Sequence, residues 1–331
     1  MRPQRGVALL TVLLVVAIMA TIAAGMSSRS YLSLRRTINL NNQEQAYWYA
    51  LASEALTKRV LKQDFDDADG TIHLQQYWAT ADVVYPVDNG TIAGSISDMR
   101  SCFNLNALSQ GLTDEEKQQD PYQAPLPARQ LIAMLEAYEL DAYSAEMMAD
   151  RVRDFVDSDN DTAGSYGAEN PEYQGRAYPY QAPNQLMQHH SEVRAVLGVS
   201  AKLYQFLEDR ICAIPGNDRQ LLNVNTLDPA EPQLLVGMLE GKLSNEEAQD
   251  VLNARPADGW ETIEDFWAEG TMQRLNDLNS KVKSTLVLDS KYFRLRGGAK
   301  TDTAVFRLES VLRRDSGDKL TVVSRQFGGQ Q

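Results

Sequence analysis

Residues 1–26 read MRPQRGVALLTVLLVVAIMATIAAGM: a short segment with two arginines, then an uncharged apolar run from Val7 to Met26. A helix rises about 1.5 Å per residue, so the run would reach about 30 Å, the thickness of the hydrocarbon core of a bilayer. The arginines before it favour a cytoplasmic N-terminus and place the chain after Met26 on the other side. The sequence therefore predicts one membrane crossing and one large exported body.

Four interpretations of the apolar run compete. A buried core helix is disfavoured, because so long an uninterrupted apolar run is too uniform for one. A secretory signal peptide fits the small residues Ala23, Ala24 and Gly25 near a possible cleavage site, and a plain membrane anchor also fits. In the fourth interpretation, a basic leader ends at Gly6, the apolar run starts at Val7, and the helical pattern continues beyond the point where the chain leaves the membrane.

The fourth pattern resembles the leader of type IV pilins and pseudopilins. A prepilin peptidase cuts such leaders after the glycine, and the new first residue is then N-methylated. The resemblance implies cleavage between Gly6 and Val7, N-methylation of Val7, and an apolar helix that stays on the mature protein.

Composition limits the possible functions. The 331 residues leave room for two or three domains and a sizeable core. The 45 acidic residues exceed the 32 basic ones, which gives a net charge of −13. Proteins that bind nucleic-acid phosphates usually carry a net positive charge, so we expect no nucleic-acid partner. Cys102 and Cys212 can oxidise in an exported domain, and we expect a disulfide, with free buried thiols as the alternative.

Hydrophobic periodicity predicts the order of the elements. One helix is expected from about Val7 to Leu61, apolar all round in its first half and amphipathic in its second half, which should lie along a sheet. Strands are predicted at 71–74, 83–86, 90–98, 292–298, 303–314 and 319–326. Helices are predicted at 128–140, 143–155, 185–196, 200–210, 231–241, 244–254 and 262–270. A helical domain inserted between strands of one sheet explains this order better than three successive domains.

The helical block contains two similar segments, FNLNAL at 103–108 and LNVNTL at 222–227. Asparagine tolerates turn conformations and bonds nearby backbone, so we expect each segment to bracket the start of a helix, the alternative being two unrelated helix starts. Residues 222–270 also look like a helix-hairpin-helix unit, a DNA-backbone binder in many proteins. Here the turn from Glu240 to Leu243 has one lysine and acidic neighbours, so we interpret the unit as packing scaffold.

An acidic loop follows the second predicted helix of the block. Carboxylates at alternating positions in a glycine-containing loop can turn toward one centre, and oxygen-only ligation is what Ca²⁺ prefers. Counting from Asp157, Asp159 and Asp161 match positions three and five of an EF-hand, but Thr162 replaces the required glycine and Glu169 comes one residue late. We predict a calcium loop of another geometry; the alternative is a solvated loop with mutually repelling carboxylates.

The whole chain resembles the general secretion pathway protein K family, the large minor pseudopilins of type II secretion systems. The matching segments share the family's order along the chain: Arg5-Gly6-Val7, Cys102 with 103–108, the Asp154, Asp157 and Asp159 loop ending in Gly167-Ala168-Glu169, the segment with Pro179, Tyr180, Ala182, Asn184 and Gln185, and Asn223-Val224-Asn225-Thr226.

The resemblance implies the α+β pseudopilin fold, a long N-terminal helix packed on a small antiparallel sheet, with a large, mostly helical inserted domain. The implied divisions are a leader at 1–6, a transmembrane and assembly helix at 7–26, an amphipathic helix with the first strands at 27–101, the inserted domain at 102–286, and C-terminal strands at 287–331.

The resemblance also implies a non-enzymatic tip subunit that helps initiate the pseudopilus, held in the inner membrane with its main body in the periplasm. The implied partners are the I and J class minor pseudopilins, the major pseudopilin, prepilin peptidase and inner-membrane lipid. Structural calcium is implied as well. Its ligands, carried over by motif, are first Asp157, Asp159, Glu169 and Asn170, and then Asp154, Asp161 and Glu172.

One residue departs from the wider pilin pattern. Most pilins have glutamate fifth after the cleavage site, where its charge can pair with a neighbour's new amino terminus inside a low-dielectric bundle. Here the fifth residue is Thr11. A subunit without that carboxylate cannot neutralise the amino terminus of a subunit ahead of it, which is tolerable if nothing lies ahead.

Two functions from other classes remain as alternatives: a membrane-anchored helix-hairpin-helix DNA-uptake protein and an anchored periplasmic hydrolase. Acidity argues against the first. The sequence has neither a Gly-x-Ser-x-Gly elbow nor an HExxH motif to support the second.

Overall fold

A computed structural model describes residues 5–67, 70–80 and 83–328 of the chain. The predicted leader falls mostly on residues 1–4, outside the described residues. The helices are α1 (Arg5–Asp67), α2 (Asp114–Gln119), α3 (Leu126–Ala137), α4 (Ala142–Val156), α5 (Asn170–Gln174), α6 (Ala201–Leu207), α7 (Gln233–Met238), α8 (Asn245–Asn253), α9 (Ile263–Ala268) and α10 (Ser280–Lys283). The strands are β1 (Val83–Val87), β2 (Gly90–Asp98), β3 (Phe103–Asn104), β4 (Ile211–Cys212), β5 (Leu222–Asn223), β6 (Leu286–Val287), β7 (Tyr292–Thr301), β8 (Val305–Arg314) and β9 (Leu320–Phe327).

Helix α1 is the single long helix that the sequence predicts, and it runs six residues beyond the expected end at Leu61. Its N-terminal part is exposed and contains an 18-residue window with mean hydropathy 2.8, long and apolar enough to cross a membrane. Its second half buries one face, with Ala46 and Ala50 against Ile92 and Leu308 of the sheet. The amphipathic second half therefore lies along a sheet, as predicted.

The main sheet has five antiparallel strands in the order β1-β2-β7-β8-β9. Strand β2, which precedes the helical block, pairs along its whole length with β7, which comes after it, from Gly90 opposite Thr301 to Asp98 opposite Phe293. Two neighbouring strands of one sheet therefore flank the block. A long helix on an antiparallel sheet, carrying a largely helical insertion, confirms the predicted α+β pseudopilin fold.

The inserted block has its own continuous core, in which α3 packs against α4 and α7. The approach of α7 to α3 depends on Gly237, because a Cβ there would lie 2.4 Å from Met134 Cβ and 2.9 Å from the Gln130 carbonyl oxygen. At the hairpin turn after α7, Glu240 pairs with Arg129 of α3. These contacts support our interpretation of the hairpin as packing scaffold.

The two Asn-x-Asn segments occupy equivalent positions. In each, the first asparagine ends a two-residue strand, β3 or β5, and its side chain accepts a hydrogen bond from the backbone of the second asparagine. The second asparagine then bonds both backbone groups of a distant residue: Asn106 bonds Met187 at 2.8 and 2.9 Å, and Asn225 bonds Trp260 at 2.8 and 3.0 Å.

The two segments differ in the element that comes next along the chain. Asn104 caps a 3₁₀ helix at Leu105–Ser109, close to the expected helix start. The expectation was wrong for the second segment, since the next helix begins only at Gln233. The asparagines fasten distant backbone in both copies, and this explains the similar spacing.

Two further predicted elements are wrong. Residues 71–74 form no strand: Ile72 donates one hydrogen bond to the Leu288 carbonyl oxygen, and the chain then turns. Of the helix predicted at 185–196, only a 3₁₀ turn at His190–Ala195 forms. The rest cannot be helical because the backbone N–H and C=O of Met187 both bond the Asn106 side chain.

A disulfide joins Cys102 to Cys212, with Cα atoms 5.8 Å apart, which confirms the expected pairing. It lies in a small core with Tyr292 and Val311 of the sheet. The bond therefore fixes the inserted block where it leaves the sheet.

Candidate metal centre

Two carboxylates of α4 hold the second half of the acidic loop, from Ala163 to Ala168. Asp154 is fully buried and accepts hydrogen bonds from the backbone N–H groups of Ala163 at 2.7 Å and Ala168 at 2.6 Å. One turn earlier, Asp150 accepts from the N–H groups of Ser165 and Tyr166, both at 3.1 Å. The loop is therefore held in one shape by its own protein contacts.

Three carboxylates meet inside this loop. Asp157, Asp159 and Glu169 each offer an oxygen, and the three oxygens lie within 4.8 Å of one another. Within the described part of the chain, both Glu169 carboxylate oxygens and Asp157 Oδ1 are buried without a hydrogen-bond donor. Buried polar atoms almost always have a partner, so these unpartnered oxygens on two members of the carboxylate cluster fit a bound cation.

The electrostatics agree with this arrangement. Burial and, after it, the neighbouring charge of Asp159 together raise the pKa of the Asp157 carboxyl to about 6. Burial also raises the pKa of Glu169. Both shifts record the cost of gathering negative charge away from water, and a divalent cation would remove that cost.

Asp154 has a different role from the cluster. Burial raises its pKa to about 7, although the two N–H groups that it binds favour the charged form. Because its two oxygens already accept bonds from the loop backbone, it positions the loop.

Two of the three other predicted ligands accept hydrogen bonds from backbone N–H groups, and the third is exposed. The Asn170 side-chain oxygen accepts a bond from the Ala182 N–H at 3.1 Å. Asp161 is exposed, and Glu172 accepts from the Glu169 N–H at 2.9 Å. Among the acidic residues predicted as ligands, the structure brings together Asp157, Asp159 and Glu169, and the remaining ligand assignments stay predictions.

Sequence reasoning missed Asn184 as a candidate ligand. Its amide nitrogen donates to the Asp159 carbonyl oxygen, and its Oδ1 is buried without a partner among the described residues. Asn184 has a φ of 45°, a left-handed conformation that asparagine tolerates. Asn184 belongs to one of the segments that match the family, so the sequence contained a signal for it. It was missed because it lies far in sequence from the acidic loop.

The donor set suits Ca²⁺. The three clustered carboxylates supply only oxygen, and no histidine or cysteine belongs to this cluster. Calcium takes oxygen ligands in flexible geometries, whereas zinc prefers nitrogen and sulfur.

Helix α1 has no charged residue at the fifth position after the predicted cleavage site. Thr11 donates its hydroxyl to the Ala8 carbonyl oxygen, at 2.9 Å, within the same helix. Its hydrogen is thus used locally, and the side chains around it are exposed and apolar.

Comparisons with known proteins agree along the whole chain. Family models described as type II secretion system (T2SS), protein K match residues 101–216 and 222–289. The type II secretion system protein K of Aeromonas hydrophila is 41% identical over 100% of this chain and 99% of its own length. That of Pectobacterium carotovorum is 34% identical over 98% of this chain and 97% of its own length.

A solved structure is similar as well. It is the GspK-GspI-GspJ complex of the enterotoxigenic Escherichia coli type 2 secretion system, in which the matching chain is 32% identical, with a TM-score of 0.77, covering 89% of this chain and 100% of its own. Sequence, family models and fold agree, and the chain belongs to the type II secretion system protein K family.

Proposed function

We propose that this minor pseudopilin is the tip subunit of the periplasmic pseudopilus and helps to start its assembly, so that folded proteins can be exported across the outer membrane. The observation that carries the proposal is the first half of α1, which is apolar and exposed but has no carboxylate at its fifth position. Such a helix can pack among neighbouring helices but cannot neutralise the amino terminus of a subunit ahead of it.

The I and J class minor pseudopilins and the major pseudopilin are the proposed partners. The similar solved structure is a complex of GspK with GspI and GspJ. The helical block adds volume beside the sheet. A subunit with this extra volume is easier to accommodate at the end of a filament than between other subunits. Both points support a terminal position.

Thr11→Glu tests the tip assignment. We expect the variant to be processed normally but to alter filament initiation or tip position, because its charge would then need a partner ahead. The matched control is Thr11→Gln, which has the same length and no charge. Pseudopilus assembly and secretion equal to wild type in Thr11→Glu would show that the missing carboxylate has no part in the tip role.

We also propose that prepilin peptidase removes residues 1–6, that Val7 becomes N-methylated, and that the apolar helix holds the subunit in the inner membrane before assembly. The N-terminus would be cytoplasmic and the main body periplasmic. The exposed apolar helix and the two arginines before it support this orientation.

A structural calcium ion is proposed at the cluster of Asp157, Asp159 and Glu169, with Asn184 as a further oxygen donor. Asp154 holds the loop backbone, and Asn170, Asp154, Asp161 and Glu172 stay predicted ligands. The cation would balance the buried carboxylates and hold α4, the acidic loop and α5 together.

We propose a role without catalysis. The arrangement most like a catalytic site is Ser191 Oγ at 2.7 Å from His189 Nδ1, with His189 Nε2 at 3.1 Å from Glu309 Oε1. The same Nδ1 also accepts the Ser191 backbone N–H and so caps the 3₁₀ turn, and Glu309 also pairs with Arg296. These contacts link the inserted block to β8, and they occupy the groups that a catalytic serine would need.

A further inference from the structure

A concave surface on the inserted domain lies apart from the acidic cluster. It is a cavity of about 410 Å³. Its lining is Arg176, Ala177, Tyr178, Tyr180, Arg194 and Ala195. The cavity therefore combines two arginines and two tyrosines with two alanines, and no carboxylate contributes to its lining.

The cavity wall is rigid on one side. The Tyr180 hydroxyl donates to the Ala195 carbonyl oxygen at 2.5 Å and accepts a bond from Arg176 at 2.6 Å. The Tyr180 ring packs on the fully buried ring of Tyr173, with centroids 5.1 Å apart. Tyr180 thus ties both the backbone and one arginine of the cavity to the core.

Both arginines lie over aromatic rings. The Arg176 guanidinium carbon is 5.5 Å from the Tyr180 centroid, and that of Arg194 is 5.4 Å from the Tyr204 centroid. Within the described residues neither guanidinium pairs with a carboxylate, whereas Arg129, Arg210 and others do. Stacking orients a guanidinium and leaves its remaining N–H donors for an acceptor in the cavity.

We propose that this cavity is a docking site for an acidic stretch of another polypeptide, whose carboxylates pair with Arg176 and Arg194 and whose backbone packs on Tyr178. Arginine and tyrosine dominate the centres of protein–protein contacts, because both give large contact area with directional bonds. Tyr178 is 88% exposed, so it is free to make that contact.

Charge favours a peptide over an extended anionic surface. The chain has a net charge of −13, and the exposed Glu172 lies close in sequence to Arg176. A lipid bilayer or nucleic acid would bring negative charge against these acidic residues as well as against the two arginines. A short acidic segment can enter the cavity alone, so it gains the attraction without most of the repulsion.

The test uses the full-length protein in detergent and a fluorescent peptide of alternating glutamate and serine, compared with the same peptide carrying glutamine. We expect fluorescence anisotropy to show binding of the acidic peptide only, weakening as salt is added. Arg176→Gln with Arg194→Gln should weaken binding at least about tenfold, since two charge-assisted contacts are lost. Tyr178→Ala should weaken it severalfold without changing the thermal midpoint.

The matched control is Arg219→Gln with Arg307→Gln, two exposed arginines outside the cavity that change the net charge equally. We expect less than about a twofold effect from this pair, because only long-range charge is altered. Equal binding of both peptides, or an equal loss in the control pair, would overturn the proposal. Binding of phosphatidylglycerol vesicles in place of the peptide would also overturn it, in favour of a lipid ligand.

Discussion

Removal of calcium should destabilise the inserted domain, and the size of the effect can be worked out from the buried carboxylates. Asp157 has a pKa raised from 3.8 to about 6 without a cation. One pKa unit corresponds to about 1.36 kcal/mol, so the charged form costs about 3 kcal/mol before screening. Because the side chain is only half-buried, solvent reduces this, and we expect a cost of roughly 1–2 kcal/mol at neutral pH.

The sign of the pH dependence is fixed by the direction of this shift. The folded-state pKa of Asp157 lies above the unfolded value, so the calcium-free fold favours the protonated form. The contribution of Asp157 to stability without calcium should therefore be most favourable below a pH of about 4 and be lost as the pH rises from there through about 6. With calcium bound, the carboxylate is charged and paired, and this loss should disappear.

The assay is thermal unfolding of the full-length protein in detergent, with calcium or with a chelator, at a pH of about 5 and of about 7.5. Calcium at a hundred times its Kd contributes about 2.7 kcal/mol, which raises Tm by roughly 5–10 °C in a domain of this size. Asp159→Asn and Glu169→Gln should abolish the response. The matched control is Asp277→Asn, an exposed carboxylate outside the cluster, which should keep it.

Two results would refute this reasoning. One is a wild-type Tm that is the same with calcium and with chelator. The other is a calcium response that survives in Asp159→Asn and Glu169→Gln at the wild-type size.

Two further predictions concern stability, both measured by denaturant unfolding. Asp154→Ala should cost about 2–4 kcal/mol, because the buried N–H groups of Ala163 and Ala168 lose their acceptor, and Asp154→Asn should recover part of this loss. Gly237→Ala should cost about 1–3 kcal/mol, since its new methyl group would overlap Met134, whereas Gly270→Ala, which has open space, should be close to neutral. An Asp154→Ala protein as stable as wild type, or equal effects of the two glycine changes, would contradict these assignments.

Much of the fold was predictable because its main elements have strong local patterns. The apolar run and its amphipathic continuation define α1, and β2 has the predicted bounds, Gly90–Asp98. The failures arose where tertiary contacts take the backbone's hydrogen bonds. Met187 is the clearest case, because Asn106, 81 residues away, binds both of its backbone groups, and no local pattern predicts that.

The candidate site was predictable in part for the same reason. Asp157, Asp159 and Glu169 lie in one loop, so their spacing indicated a common centre. The sequence could not show that the oxygens of Asp154 are filled by backbone N–H groups, nor that Asn184 approaches from a later segment. Those facts depend on how the chain folds back on α4.

The most direct test of the central claim, a processed pseudopilin that keeps its apolar helix, is the intact mass of the protein extracted from membranes of cells that contain prepilin peptidase. We predict a mass lacking residues 1–6 and carrying one methyl group on Val7, and an unprocessed mass in the matched Gly6→Asp variant. A mass that corresponds to cleavage near Gly25, or to no cleavage, would contradict the account.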